Sequence, residues 1–366
     1  MKHVSVLALS AMTTIGITPF CAYAAPVSHL HANGIVANNI VVMQRAALMN
    51  AFDNFDGSFA VSLGHHTIQE PTDEPTEEPK ADPARDYGKM PVYGEYGDDG
   101  TVFLSGRSGG EYSIMNSNWF DWQHSKDHTK FDDFSDMNSR HDLMTLGISG
   151  GHNRINGGFS EWGVFGGLAI AKEDNSIVDI SERGGFVGLY SGYHMYGFNV
   201  AVAGNFGALY NSAESGFGTD NFTNIWLGGA LNASYDIVLD GTFTLQPGVY
   251  IGYTWIKSPD YKSESGDRIS NNDFNMIGVS PSLRAIKHVV DEWYGALSVR
   301  YAFNSTNGGD ATVAGVGLPD LDLMNYTEYG ISIEKNIEHM NVSVSLNRRD
   351  GGRTGWTGGL QIRYLF

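Results

Sequence analysis

The sequence predicts an all-β fold: a twelve-stranded antiparallel transmembrane β-barrel, preceded by a short helix and a disordered acidic linker. Three observations carry this. The last stretch, Leu360 to Phe366, sets apolar residues at 360, 362, 364 and 366 against Gln361 and Arg363. That period of two suits a strand with lipid on one face and a lumen on the other. Segments of the same alternation follow one another from about residue 110 to the end. Behind the first 24 residues no apolar run of about 18 residues occurs, so a barrel is the one way into a membrane.

Composition fits a half-wet sheet. The chain holds 46 Gly, 18 Tyr, 19 Phe and 7 Trp, yet its mean hydropathy is −0.22. A wall with one side in water has that balance. The formal net charge of −18 repels phosphates and argues against a nucleic-acid partner.

The elements follow in order. Residues 1–24 read as a secretory leader, with Lys2, an apolar run from Val4 to Ile17 and the small-residue site Ala22-Tyr23-Ala24. The single cysteine, Cys21, precedes that cut and follows Thr18-Pro19-Phe20, so neither a lipid anchor nor a disulfide framework is expected. Residues 25–68 form a short N-terminal region in which apolar Val41, Leu48 and Phe52 predict a helix over 38–55. Residues 69–86 place prolines among carboxylates, from Glu70-Pro71 to Asp82-Pro83. Such a segment has nothing to bury and reads as an extended linker. Residues 87–109 connect it to a barrel over 110–366; stretches 58–63 and 92–105 read as short strands, an exposed module or a luminal plug.

Strands are expected near 111–123, 140–154, 159–173, 184–196, 197–212, 221–239, 241–257, 272–288, 291–304, 325–335, 339–349 and 353–366. Their even number suits a single-chain bacterial barrel. In the seventh, Phe243, Leu245, Val249, Ile251, Tyr253 and Trp255 share the lipid face. Inward positions fall to Glu161, Asp236, Glu292, Arg300, Gln361 and Arg363. Charges there either bias ion passage or pair with one another in a plugged lumen, and pairing is favoured. Trp162, Tyr193, Tyr235, Trp255, Trp293, Tyr301 and Tyr364 suit interfacial girdles.

Several motifs together resemble a known family. Gly229-Ala230-Leu231-Asn232-Ala233-Ser234-Tyr235, followed by Phe243-Thr244-Leu245-Gln246-Pro247-Gly248-Val249-Tyr250-Ile251-Gly252-Tyr253, is similar to the central hairpin of autotransporter β-domains, with Gln246 where an acid is usual. Tyr329-Gly330-Ile331-Ser332-Ile333-Glu334 and the ending Arg363-Tyr364-Leu365-Phe366 resemble that family's late strands. The resemblance covers roughly residues 110–366. It implies a twelve-stranded outer-membrane barrel threaded by a helix, through which an N-terminal passenger reaches the cell surface. It also implies that Tyr364 and Phe366 act as an assembly signal, read by the barrel assembly machinery after periplasmic chaperones deliver the chain. The sequence departs from the pattern in two respects: no long repetitive passenger is visible, and the helix lies well ahead of the first strand rather than directly before it.

Other candidate chemistry is weak. Asn38-Asn39 resembles the pair at which some autotransporters cut their own luminal helix, although asparagine also caps helices. His65-His66, His124 with His128, and His141-Asp142 suggest metal sites or an Asp-His rim protease, but no third ligand or nucleophile stands beside them. Phe131 to Asp136 reads as an exposed acidic loop rather than a calcium loop. No catalytic residue, metal or cofactor is therefore assigned. The expected partner is outer-membrane lipid, with no surface ligand named. Three functions stay open: an autotransporter-like barrel that anchors and translocates its own N-terminal segment, a porin-like or structural barrel with a plugged lumen, and an adhesin or surface enzyme using loops 258–272 and 304–322.

Overall fold

The structure, a computed structural model, describes residues 32, 34–53, 116–131, 136–155, 158–270, 272–308, 312–313, 316–317 and 323–366. The leader, the acidic linker, the connecting segment and stretches 58–63 and 92–105 lie outside them, as do His65 and His66.

Twelve long strands make one closed antiparallel sheet. They are β1 (Ser117–Thr129), β2 (Met137–Ile155), β3 (Gly158–Asp174), β4 (Val178–Met195), β5 (Phe198–Ser215), β6 (Gly218–Tyr235), β7 (Phe243–Ser258), β8 (Asn272–Val290), β9 (Trp293–Gly308), β10 (Tyr326–Ile337), β11 (Met340–Gly351) and β12 (Arg353–Leu365). Each pairs with the next, and β12 pairs with β1 from Ser117↔Leu365 to Thr129↔Arg353. Closure removes the edges that lipid could not satisfy. Phe366 completes the seam by exchanging backbone hydrogen bonds of 3.0 and 3.2 Å with Asn116.

The side chains alternate as a lipid-facing wall requires. Leu146, Ile148, Val164, Leu168, Val187 and Leu189 stand exposed on the outer face, forming an apolar belt. Their strand neighbours Thr145, Ser149 and Glu161 are buried inward. The wall is therefore that of a transmembrane barrel.

The two mouths differ. At one, β4–β5, β8–β9 and β10–β11 join through turns at 196–197, 291–292 and 338–339, where Tyr196, Asp291 and Glu338 take the positive φ that tight hairpins use. The first strand begins and the last strand ends there. At the other mouth lie the long connections 130–136, 259–271 and 309–325. Short strands from the last two, Tyr261–Lys262, Arg268–Ser270, Thr312–Val313 and Val316–Gly317, pair into a small sheet of their own. In outer-membrane-type barrels the long loops ordinarily lie on the outer side and the short turns on the periplasmic side.

Strand ends corrected the sequence expectation most. The first strand, expected over 111–123, runs Ser117–Thr129, and the fourth, expected from 184, begins at Val178. Near the long loops the pattern inverts: Val178 and Ile180 are buried inward while Asp179, Ser181 and Arg183 point out. A strand of 18 residues tilted in a barrel rises roughly 45 Å, well beyond an apolar belt of about 25 Å, so its upper part stands in water.

Candidate functional site: the luminal helix and its wall

The helix, α1, spans residues 34–53, earlier than the expected 38–55. It lies inside the barrel and has no solvent face. Ile40, Ala47 and Leu48 and the polar Asn39, Gln44 and Asn50 are all almost fully buried. A helix polar on several sides is stable only where the surroundings supply partners, and the wall does so at Asn39, Gln44, Arg45 and Asn50.

Asn39 is held twice. Its Nδ2 donates to Glu182 Oε1 at 3.0 Å, and its Oδ1 lies 3.0 Å from His141 Nε2. His141 Nδ1 in turn lies 3.1 Å from Ser125 Oγ. Glu173, 4.0 Å from His141, closes this buried group. Below it, Gln44 bonds Thr254, and Arg45 donates to Ser280 Oγ at 2.7 Å with its guanidinium over the Tyr250 ring at 5.2 Å. Asn50 donates to Asp121 at 2.6 Å and accepts from Gln123. Phe52 meets Tyr250 edge-on at 6.2 Å.

These contacts define the helix's direction. His141, Glu182 and Asp121 are each the fifth residue of their strands, but β2 and β4 are entered from the long-loop mouth and β1 from the short-turn mouth. The N-terminal part of α1 therefore lies toward the long loops and its C-terminal part toward the chain ends. A small cavity lined by Asn38, Val41, Arg45, Thr129, Leu323 and Arg353 marks the long-loop end.

Because α1 begins before Asn38, Asn38 and Asn39 are interior helix residues and not caps, which corrects the capping expectation. His141 and Asp142 point to opposite faces of the sheet and form no dyad. Asp142 bonds the exposed His124 at 2.9 Å, and His128 bonds Asn138 and Asp136 at 3.1 and 3.2 Å. Among the described residues, no group of three or more His, Cys, Asp and Glu is arranged to hold a metal ion.

The inward candidates take varied places. Arg363 and Glu161, each about 1% exposed, pair at 3.3 Å, and the Tyr190 hydroxyl donates to the same carboxylate at 3.1 Å. Arg300 pairs with Glu328 at 3.1 Å. Gln361 is half-buried opposite Asp121 in register. Asp236 lies just past β6 at the short-turn mouth and accepts from Asn199 at 3.1 Å and Gln246 at 2.8 Å. Glu292 stands in the β8–β9 turn rather than in a strand. Tyr364 and Phe366 are exposed on the outer face, with stacked rings 6.3 Å apart.

Sequence reasoning missed much of the lumen. Asp127 takes Arg349 at 2.6 Å and also Arg353, and Arg349 continues to Glu328 at 2.9 Å. With Arg300 this makes one ionic chain over β12, β1, β11, β10 and β9. Carboxylates with His141 line β1–β4 and arginines line β8, β9, β11 and β12, while α1 lies between them. A stricter reading of inward positions would have found these charges; the helix residues gave no signal, since Asn and Gln on a helix read as a wet face.

No protein-family model matches the sequence, and no curated protein does either. Solved structures do resemble the chain in shape. The transport unit of the autotransporter AIDA-I from Escherichia coli superposes with a TM-score of 0.60 at 17% identity, covering 68% of this chain and 90% of that one. The fold is that of an autotransporter translocator domain. The β-domain of the Bordetella autotransporter BrkA gives 0.56 at 13% identity, covering 68% of this chain and 98% of that one. The translocator domain of NalP from Neisseria meningitidis gives 0.53 at 12% identity, with 69% and 89% covered. These matches cover about two thirds of the chain.

Proposed function

We propose that this chain is an outer-membrane barrel of the translocator type that anchors and plugs itself with α1, and carries the residues ahead of α1 to the cell surface. The direction of α1 carries the reading: the chain before residue 34 leads to the long-loop mouth, while Asp53 and Asn116 both lie on the short-turn side. The intervening residues 54–115, with the acidic linker at 69–86, therefore leave and re-enter from the periplasm. Asn39, committed to Glu182 and His141, serves as an anchor in this reading and not as a nucleophile. Residues 1–24 act as the cleaved leader that sends the chain to periplasmic chaperones and the assembly machinery. Glu161, Arg300, Gln361 and Arg363 hold the plugged lumen together, Asp236 and Glu292 secure its periplasmic rim, and Tyr364 and Phe366 mark the strand that machinery reads.

Epitope tags near Val27 and near Thr76 test this on intact cells with a sealed periplasm. Antibody reaching the first and failing to reach the second until the outer membrane is broken is the expected result. A surface-exposed Thr76 tag would overturn the topology, and a protected Val27 tag would leave a plugged barrel without export. Phe366→Ser is expected to lower outer-membrane insertion sharply, because a poorly closed seam leaves strand hydrogen bonds in lipid; normal levels of heat-modifiable barrel would contradict this.

A further inference from the structure

Just above the apolar belt, at the long-loop end of the outer face, three cations stand in one row of the sheet. Lys126 on β1 is directly opposite Arg140 on β2, and Arg140 is directly opposite Lys172 on β3. All three side chains are exposed. Directly opposed residues on one sheet face sit about 5 Å apart, and like charges placed so repel. Other outward cations in the strands have found partners. Lys257 lies 3.6 Å from Asp273, Arg348 bonds Asp350 at 3.2 Å, Lys335 stands over Trp293, and Arg183 stands over Tyr210. Among the described residues, no ion pair reaches Lys126, Arg140 or Lys172.

The neighbouring rows show which ligand fits. On the belt side, Asp142 is already engaged by His124, and one row further Trp122, Met144 and Leu168 present exposed apolar surface. On the loop side, Asp174 and Asp179 oppose each other above β3 and β4, while above β1 and β2 Asp136 is already engaged by His128. A ligand matched to this surface carries phosphate at the level of Lys126 and Arg140 and acyl chains running down over the belt.

We propose that Lys126, Arg140 and Lys172 bind the phosphates of a phosphorylated glycolipid of the outer leaflet, of the lipid A class. Phosphate offers several acceptor oxygens to the guanidinium and both ammonium groups, which turns mutual repulsion into charge-assisted hydrogen bonding. The proposal rests on the outward placement of the long-loop mouth given above.

The test uses the full chain purified in detergent, wild type against Lys126→Gln/Arg140→Gln/Lys172→Gln, with Lys257→Gln as control. Native mass spectrometry during titration with bisphosphorylated lipid A is expected to show affinity reduced about tenfold or more in the triple variant and unchanged in the control. Fully dephosphorylated lipid A is expected to bind the wild type as weakly as the triple variant binds the phosphorylated form. In lipid-free detergent, the triple variant should unfold at the same or a higher temperature than wild type, because repulsion is gone; that separates a lost ligand from a damaged barrel. Equal lipid A binding by both proteins would overturn the proposal, and so would competition by inorganic phosphate at equal concentration, which would make it a free-phosphate site. If the epitope tags behave as expected while lipid A binding is unchanged, only this inference fails.

Discussion

The arc β1–β5 and the arc β8–β12 enclose the same lumen by different means. The first builds a core. Trp119, Phe165, Tyr190 and Phe186 pack across its inner face with ring centroids 6.2 to 6.5 Å apart. Gly147 and Gly163 lie beneath the Trp119 and Tyr190 rings, where any Cβ would collide with them. The second arc is lined by Arg284, Arg300, Arg349, Arg353 and Arg363, together with Glu328 and Glu334. The difference shows why the helix needs polar side chains all round: it must satisfy buried carboxylates on one flank and lie beside arginines on the other.

Changes can break this comparison, and the largest effect is expected where the arcs meet. Arg363 on β12 reaches Glu161 on β3 across the aromatic core. Arg363→Ala removes the cation paired with the buried Glu161 carboxylate, and a loss of about 3–5 kcal/mol is expected in urea unfolding of the detergent-solubilised barrel. Replacing Arg363 and Glu161 together by Met and Leu should recover most of it, since both charges are then gone. Recovery failing would assign the pair a role beyond mutual satisfaction.

Within the first arc, Gly147→Leu is expected to cost about 1–3 kcal/mol by displacing Trp119. The same substitution at Gly278 on the inner face of β8, where an added Cβ comes no nearer than 3.5 Å to its neighbours, should cost less. Matching losses at both positions would deny that the first arc is the more tightly built.

The smallest effects fall on the helix. Asn50→Ala removes the hydrogen bonds to Asp121 and Gln123 and is expected to cost about 1–3 kcal/mol of helix retention. It should appear as more frequent conductance openings in planar bilayers, with barrel unfolding little changed. A variant as quiet as wild type would place the hold on α1 elsewhere, at Asn39 or Arg45.

Legibility in the sequence followed the solvent. Strands such as β7 and β11 were readable because lipid on one face and water on the other impose alternation: Ile251 and Tyr253 outward, Val344 and Leu346 outward. Where a strand leaves the lipid the pattern reverses, as at Val178 and Ile180, and boundaries there went astray. The outward candidates Tyr364 and Phe366 followed from the same rule. The site on α1 did not, because nothing local distinguishes an asparagine facing Glu182 from one facing water. The distance between helix and first strand gave no sign that a helix so far ahead in sequence lies inside the barrel.

The direction of α1 is the central claim, and paired cysteines test it most directly in cells; the chain's only cysteine, Cys21, lies ahead of the helix. Asn39→Cys with Glu182→Cys and Asn50→Cys with Asp121→Cys should each cross-link and shift mobility on denaturing gels, while the crossed pairs, 39 with 121 and 50 with 182, should not. Cross-linking of the crossed pairs instead would mean that the helix runs the other way, and the assignment of residues 54–115 to the periplasm would fall with it.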